Sequence, residues 1–227
     1  MTTAKTVLIT GASRGLGYSL GVMLGAAGYQ VIAMAKTVGG LEDLADDIEA
    51  LGGPTPTLVP LSITDDGGMQ RLCLSIHERW GSLDVAIHCA AHAPPQSPAP
   101  HVAERDFDQS VEINLRGTQR LVTMLEPLLK AAPDGQFVHV DDDRAGQPFF
   151  GAYGATKAAA AAYIRSWAAE SRQTGPHVTV FSPAPMPTAL RARFFPGEDT
   201  EGLASCRSEA ARLCAAIGLE DVSGEAE

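Results

Sequence analysis

Two hydrophobic regimes alternate along the chain. Short apolar runs, TVLIT (6 to 10), YQVIAMA (29 to 35), TLVPL (57 to 61), LDVAIHC (83 to 89), QFVHV (136 to 140) and HVTVFS (177 to 182), have the length and composition of buried strands. Between them run Ala- and Leu-rich stretches of roughly 12 to 28 residues with helical periodicity. The alternation predicts repeated βαβ units and a parallel sheet with helices on both faces. That is an α/β, doubly wound architecture in one domain, 1-227.

Two stretches break the pattern. AAHAPPQSPAP (90 to 100) carries four prolines directly after the fourth strand, where no helix can form. SPAPMPTALRARFFPGED (182 to 199) follows the sixth strand. Loops beyond the carboxyl ends of strands hold the ligands of such folds, so both stretches are expected walls of a site.

Composition narrows the choice of ligand. The 227 residues are 45% apolar and 19% charged, ordinary for a folded soluble chain, and the net charge of -10 supplies no basic patch for nucleic acid or an anionic membrane. No apolar run approaches the roughly 18 residues of a membrane span. MTTAKTVLITGAS enters the first strand without the apolar region of a signal peptide, so a cytoplasmic location is expected. Cys73, Cys89, Cys206 and Cys214 show neither a CxxC pair nor ligand spacing with histidine; they are expected to be reduced, with no metal site.

The first strand runs into TGASRGLG (10 to 17), and a helical pattern follows. Gly11, Gly15 and Gly17 allow a tight turn and bring backbone amides up to a pyrophosphate, with Ser13, Arg14 and Leu16 as the intervening contacts. The second strand ends in Ala35, Lys36 and Thr37, with no carboxylate to take ribose hydroxyls. Arg14 and Lys36 together suit a 2'-phosphate, so NADP(H) is expected in preference to NAD(H).

With Asn114 in VEINLRG and YGATK (153 to 157) added, the sequence resembles the short-chain dehydrogenase/reductase family, a single-domain Rossmann fold, over nearly its whole length. WGSLDVAIHCAA, GAYGATKAA and PTALRARFFPGED are similar to its bacterial YciK-like subgroup. The resemblance implies that Tyr153 exchanges a proton with the substrate oxygen while hydride moves at the nicotinamide. An unperturbed tyrosine ionises near pH ~10, so Lys157, one helical turn away, and the oxidised cofactor must ease that exchange. Asn114 supports a water chain to the lysine. The resemblance also implies cofactor contacts at Ser62, Ile63, Ala90, Ala91, Pro183 and Thr188.

Several positions depart from the family. The serine that orients the substrate oxygen is replaced by Asp142, and no Ser or Thr occurs from 136 to 152. An ionised carboxylate at about 4 Å and an effective dielectric of about 20 opposes a phenolate by roughly 4 kcal/mol. A neutral Asp142 instead donates a hydrogen bond. A third arrangement is a solvated acidic turn with Arg144 as counter-ion, and another loop register puts Asp141 or Asp143 against Tyr153. The family's NNAG reads His88, Cys89, Ala90, Ala91, its adenine-contacting Asp reads Ser62, and its Pro-Gly reads Pro183, Ala184.

EDVSGEAE (220 to 227) coincides with the start of the family's last strand. The expected sheet therefore has six strands in the order 3-2-1-4-5-6, the seventh absent or a stub. The family's tetramer uses that strand, so a homodimer through helices 104-131 and 151-174 is expected; Leu121, Leu125, Leu128 and Ala158 to Ala162 serve that interface or the core.

The leading reading is an NADP-dependent carbonyl reductase or alcohol dehydrogenase, with Tyr153 as acid/base, Lys157 as its modulator, Asn114 in the relay and Asp142 in the serine's place. Met186, Leu190, Phe194 and Phe195 suggest an apolar small-molecule substrate. The alternative is a catalytically silent relative that binds NADP(H) as a sensor or interaction partner. A third is isomerisation or dehydration with Asp142 as general acid or base.

Overall fold

All five residues of β1 (Thr6–Thr10) are buried, as a strand covered on both faces must be. In the computed structural model, which describes residues 4–219, β1 pairs in parallel with β2 (Gln30–Ala35) on one side. Beyond β2 lies β3 (Thr57–Pro60). On the other side β1 meets β4 (Val85–His88), followed by β5 (Gln136–Val140) and β6 (His177–Phe181), all parallel. The order β3-β2-β1-β4-β5-β6 is the expected one, with the chain reversing direction across the sheet between β1 and β4. β4 is shorter than its apolar run because Leu83 and Asp84 bond outside the ladder, to the Leu128 carbonyl and the Thr6 hydroxyl.

Eight α-helices follow in chain order among the described residues: α1 (Gly15–Ala26), α2 (Gly39–Ala50), α3 (Asp66–Trp80), α4 (Glu104–Ser110), α5 (Gly117–Ala131), α6 (Gly151–Glu170), α7 (Ala189–Phe194) and α8 (Cys206–Ala216). Strand alternation divides the core. Val7 and Ile9 pack with Leu20, Leu24, Leu44 and Leu213 under α1, α2 and α8. Leu8, Ile32 and Phe137 point the other way, against Met69, Leu125 and Trp167 of α3, α5 and α6.

The helical stretch 104-131 is not uniform. Between α4 and α5 the chain widens into π-type turns, Val111–Arg116, and Asn114 lies within them. Such turns displace a side chain from the regular helical spiral and recur at functional sites.

The alternatives left open for the long helices are narrowed, and one expectation changes. Leu121, Leu125 and Leu128 are buried in the sheet-facing core, so they have no surface to offer a partner. On α6 the outward alanines are Ala158, Ala159 and Ala162, whereas Ala160 and Ala161 are buried. The 182–199 stretch is not wholly irregular: Thr188 accepts a hydrogen bond from the Arg191 amide at 3.2 Å and starts α7. Side-chain capping offsets the nearby prolines, which obscured this short helix. The anticipated strand stub at 220–227 lies outside the described residues. No described helix is long and apolar enough to cross a membrane.

Candidate active site

At the carboxyl ends of the strands lies a cavity of about 440 Å³, within the range of small-molecule sites. The glycine turn forms one part of its wall, Tyr153 and Lys157 another, and α7 a third. Gly11 has φ +73°, and a Cβ there would come within 2.9 Å of the Ala90 nitrogen. At Gly17 a Cβ would stand 2.5 Å from the Gly11 carbonyl oxygen. The turn therefore admits no side chain at either position, which leaves the amides at the start of α1 open to an anion. Arg14 and Lys36 are exposed on the cavity wall, and neither side chain has a hydrogen bond or ion pair among the described residues. A bare-backbone cradle and two uncommitted cations fit a phosphate-rich dinucleotide.

Most of the residues singled out from the sequence meet in this cavity. Ser13, Gly15, Leu16, Ile63, Ala90, Ala91, Pro183 and Thr188 line it with those above, and so does Asp142. Two do not. The Ser62 hydroxyl is spent on its own turn, 2.8 Å from the Thr64 hydroxyl. Asn114 sits behind the wall: its Oδ1 accepts from the His92 amide at 2.7 Å, and its Nδ2 donates to the His92 carbonyl at 3.0 Å and the Thr156 hydroxyl at 3.1 Å. It thus fastens the loop after β4 to α6, one residue before Lys157. The proline-rich stretch contributes only its start, Ala90 to Ala93; Pro94 to Pro100 do not line the cavity.

Asp142 is the carboxylate that faces the tyrosine. The Tyr153 hydroxyl donates to Asp142 Oδ2 at 3.1 Å, while Arg144 Nε donates to the other oxygen at 2.9 Å. Two arrangements that the sequence left as alternatives coexist, since Asp142 both faces Tyr153 and pairs with Arg144. Asp141 points elsewhere, 4.0 Å from both the Lys157 and the Arg165 nitrogens, and Asp143 accepts from the Ala145 amide at the surface. Burial pushes the Tyr153 hydroxyl well above its ordinary pKa, and the Asp142 carboxylate pushes it further. Tyr153 is only 2% exposed, packed under Phe194, whose ring centre lies 4.8 Å away.

Lys157 is anchored beneath the site. Its Nζ donates to the Val140 carbonyl at 2.7 Å and lies 3.3 Å from His139 Nε2. Burial lowers its pKa, with Asp141 and Asp142 opposing. His139 is held well below its usual pKa by burial and by Lys157, so the ammonium donates to Nε2 and the ring proton sits on Nδ1, a buried atom without a partner. Alongside, His88 lies between two threonines: Nδ1 is 2.8 Å from the Thr10 hydroxyl and Nε2 is 3.0 Å from that of Thr118. The Thr118 proton goes to the Asn114 carbonyl, so His88 Nε2 donates and Nδ1 accepts. Burial pushes His88 down to about 3, and the ring is neutral. The sequence named His88 only as a departure from NNAG. The register of β4 on β5, which places it beside His139, carries no signal of its own in the sequence.

A doubly wound sheet, a glycine turn after its first strand and a tyrosine and lysine one helical turn apart are the arrangement on which dinucleotide-dependent oxidoreductases are built. The chain belongs to the short chain dehydrogenase family, whose model matches residues 5–199. It is 31% identical over 169 residues, 73% of its length, to a fatty acyl-CoA reductase of Acinetobacter baylyi, and spans 57% of that protein. It resembles the oxidoreductase yciK of E. coli with a TM-score of 0.86 at 26% identity, over 96% of this chain and 91% of that one. A short chain dehydrogenase of Shigella flexneri, solved as a complex with NADP, matches with a TM-score of 0.85 at 27% identity, over 89% and 86% of the two chains.

Proposed function

We propose that the protein reduces an aldehyde or ketone with NADPH, using Tyr153 as proton donor from a site that rests in a locked state. The carrying observation is the Tyr153–Asp142–Arg144 chain on the wall of a cavity whose other part is a phosphate cradle. Preference for NADP(H) over NAD(H) is supported by the free cations Arg14 and Lys36, by the lack of a carboxylate at the end of β2, and by the NADP bound to the Shigella relative. NADPH, when bound, supplies the hydride.

The chain's own groups set the direction. A tyrosine whose pKa is raised keeps its proton and is not a base, which disfavours abstraction from an alcohol; the part of the rise that comes from Asp142 also holds back donation and is what locks the site. Before it donates, Tyr153 must leave Asp142. A substrate oxygen entering against Tyr153 competes for that bond, while Arg144 remains to hold the carboxylate. Leu190, Phe194 and Phe195 close the cavity around the tyrosine and exclude water. Asn114 keeps the loop after β4 and the Lys157 helix in fixed relation.

A second reading, a cofactor-binding relative without turnover, draws on the same bond: the only Tyr153 proton is given to Asp142 and the ring is shielded. NADPH consumption with a panel of aldehydes, run on the parent and on Asp142→Ser, separates the two. Turnover in either supports the reductase. NADPH binding with no turnover in both supports the silent reading. We further propose a homodimer through the helices 104-131 and 151-174, with Ala158, Ala159 and Ala162 as its flat contact strip; a monomer in sedimentation equilibrium would contradict it.

A further inference from the structure

Six cationic side chains line the cavity against two carboxylates, in a chain of net charge -10. Most have an assignment. Arg14 and Lys36 stand where the cofactor's ribose phosphate is proposed, and Lys157 is held by the Val140 carbonyl. Arg144 is paired with Asp142, and Arg191 makes two 2.6 Å bonds to Glu198. Arg193 has neither an ion pair nor a hydrogen bond among the described residues, and it is exposed on the cavity wall. Its neighbour on α7 is Phe194, the residue packed on Tyr153.

A second unsatisfied group belongs to the same region. His92 Nε2 is buried without a hydrogen-bond partner, an arrangement that is costly unless a ligand completes it. Its backbone is held in place, because its amide and its carbonyl are both bonded to Asn114. Ala93, next in the chain, packs in one cluster with Phe150, Tyr153 and Phe194. The Arg193 charge reaches His92 and, after burial, is the largest influence lowering its pKa.

We propose that Arg193 and His92 form a subsite for a carboxylate of the substrate, so that the compound reduced at Tyr153 is an oxo acid with an apolar body against Leu190, Phe194 and Phe195. The guanidinium supplies charge and paired donors, and the imidazole supplies one neutral N–H. The reactive carbonyl rests on the oxidoreductase reading above; the anionic group rests on the two unpartnered side chains.

The test is equilibrium binding of benzoate and of its neutral analogue benzamide, by calorimetry, with and without NADPH. One charge-assisted pair favours benzoate by about tenfold or more. Arg193→Gln, at an exposed position where folding is little affected, is expected to abolish that preference, and KM for 4-carboxybenzaldehyde is expected to rise towards that for benzaldehyde. Equal affinities in the parent, or a preference that survives in Arg193→Gln, overturn the subsite. So does an Arg193→Gln variant that loses NADPH affinity while keeping its benzoate preference, since Arg193 then serves the cofactor. An Arg193-dependent preference in a protein that neither binds nor consumes NADPH leaves the subsite standing and removes the reductase reading.

Discussion

Replacing Asp142 with serine removes a carboxylate oxygen 3.1 Å from the Tyr153 hydroxyl. At an effective dielectric of about 20, a unit charge at that separation opposes a developing phenolate by about 5 kcal/mol. Arg144, 2.9 Å from the other carboxylate oxygen, and the 30% exposure of the Asp142 side chain both weaken this. A halved effect, about 2 to 3 kcal/mol, corresponds to about 30- to 150-fold in rate. Proton donation leaves a phenolate, so the facing carboxylate opposes the step and the parent is slow. Asp142→Ser is expected to be faster by that factor at neutral pH. The assay is initial-rate NADPH consumption at neutral pH, with melting curves to show that both proteins are folded. A folded serine variant no faster than the parent on aldehydes would refute the assignment of Asp142 as the brake.

Other expectations follow from the same contacts. His88 has its pKa lowered from 6.5 to about 3, so below pH 6.5 the unfolded chain binds a proton that the folded one refuses. Stability present above that pH is lost on acidification, by about 2 kcal/mol at about pH 5, and His88→Asn should remove that part of the loss in urea titrations. An equal loss in the variant would contradict the buried neutral ring. Lys36→Glu should weaken NADPH at least about tenfold while sparing NADH, read by fluorescence titration; an unchanged ratio would remove Lys36 from the phosphate site. Glu209, 5% exposed, accepts from the Ala184 amide at 2.9 Å and so holds the segment leading to Thr188. Glu209→Ala should cost about 2 kcal/mol and lower Tm by about 5 °C, measured by calorimetry; no change would show that amide to be satisfied otherwise.

The strands were legible because each is a continuous apolar run, and a sheet buried on both faces demands that. The glycine turn was legible for a similar reason, since backbone that must approach another backbone leaves only glycine. Tyr153 and Lys157 were marked by the resemblance of YGATK to the family's motif, and their four-residue spacing puts both on one helical face. What stayed hidden depended on loop path and strand register. The orientations of Asp141, Asp142 and Asp143 follow from how residues 141–150 return to α6, and adjacent identical side chains give no pattern to read. Proline-rich surroundings masked α7, and with it Arg193, whose position over the cavity has no sequence periodicity behind it. His139 sits beside His88 only because β5 adds to β4 in that register.

The most direct measurement is titration of the purified protein with NADPH and with NADH, followed by nicotinamide fluorescence. The account expects saturable NADPH binding, at least about tenfold tighter than NADH, that is lost on substituting both Arg14 and Lys36. Absence of binding by either nucleotide at millimolar concentration, or equal affinity for the two, would contradict it.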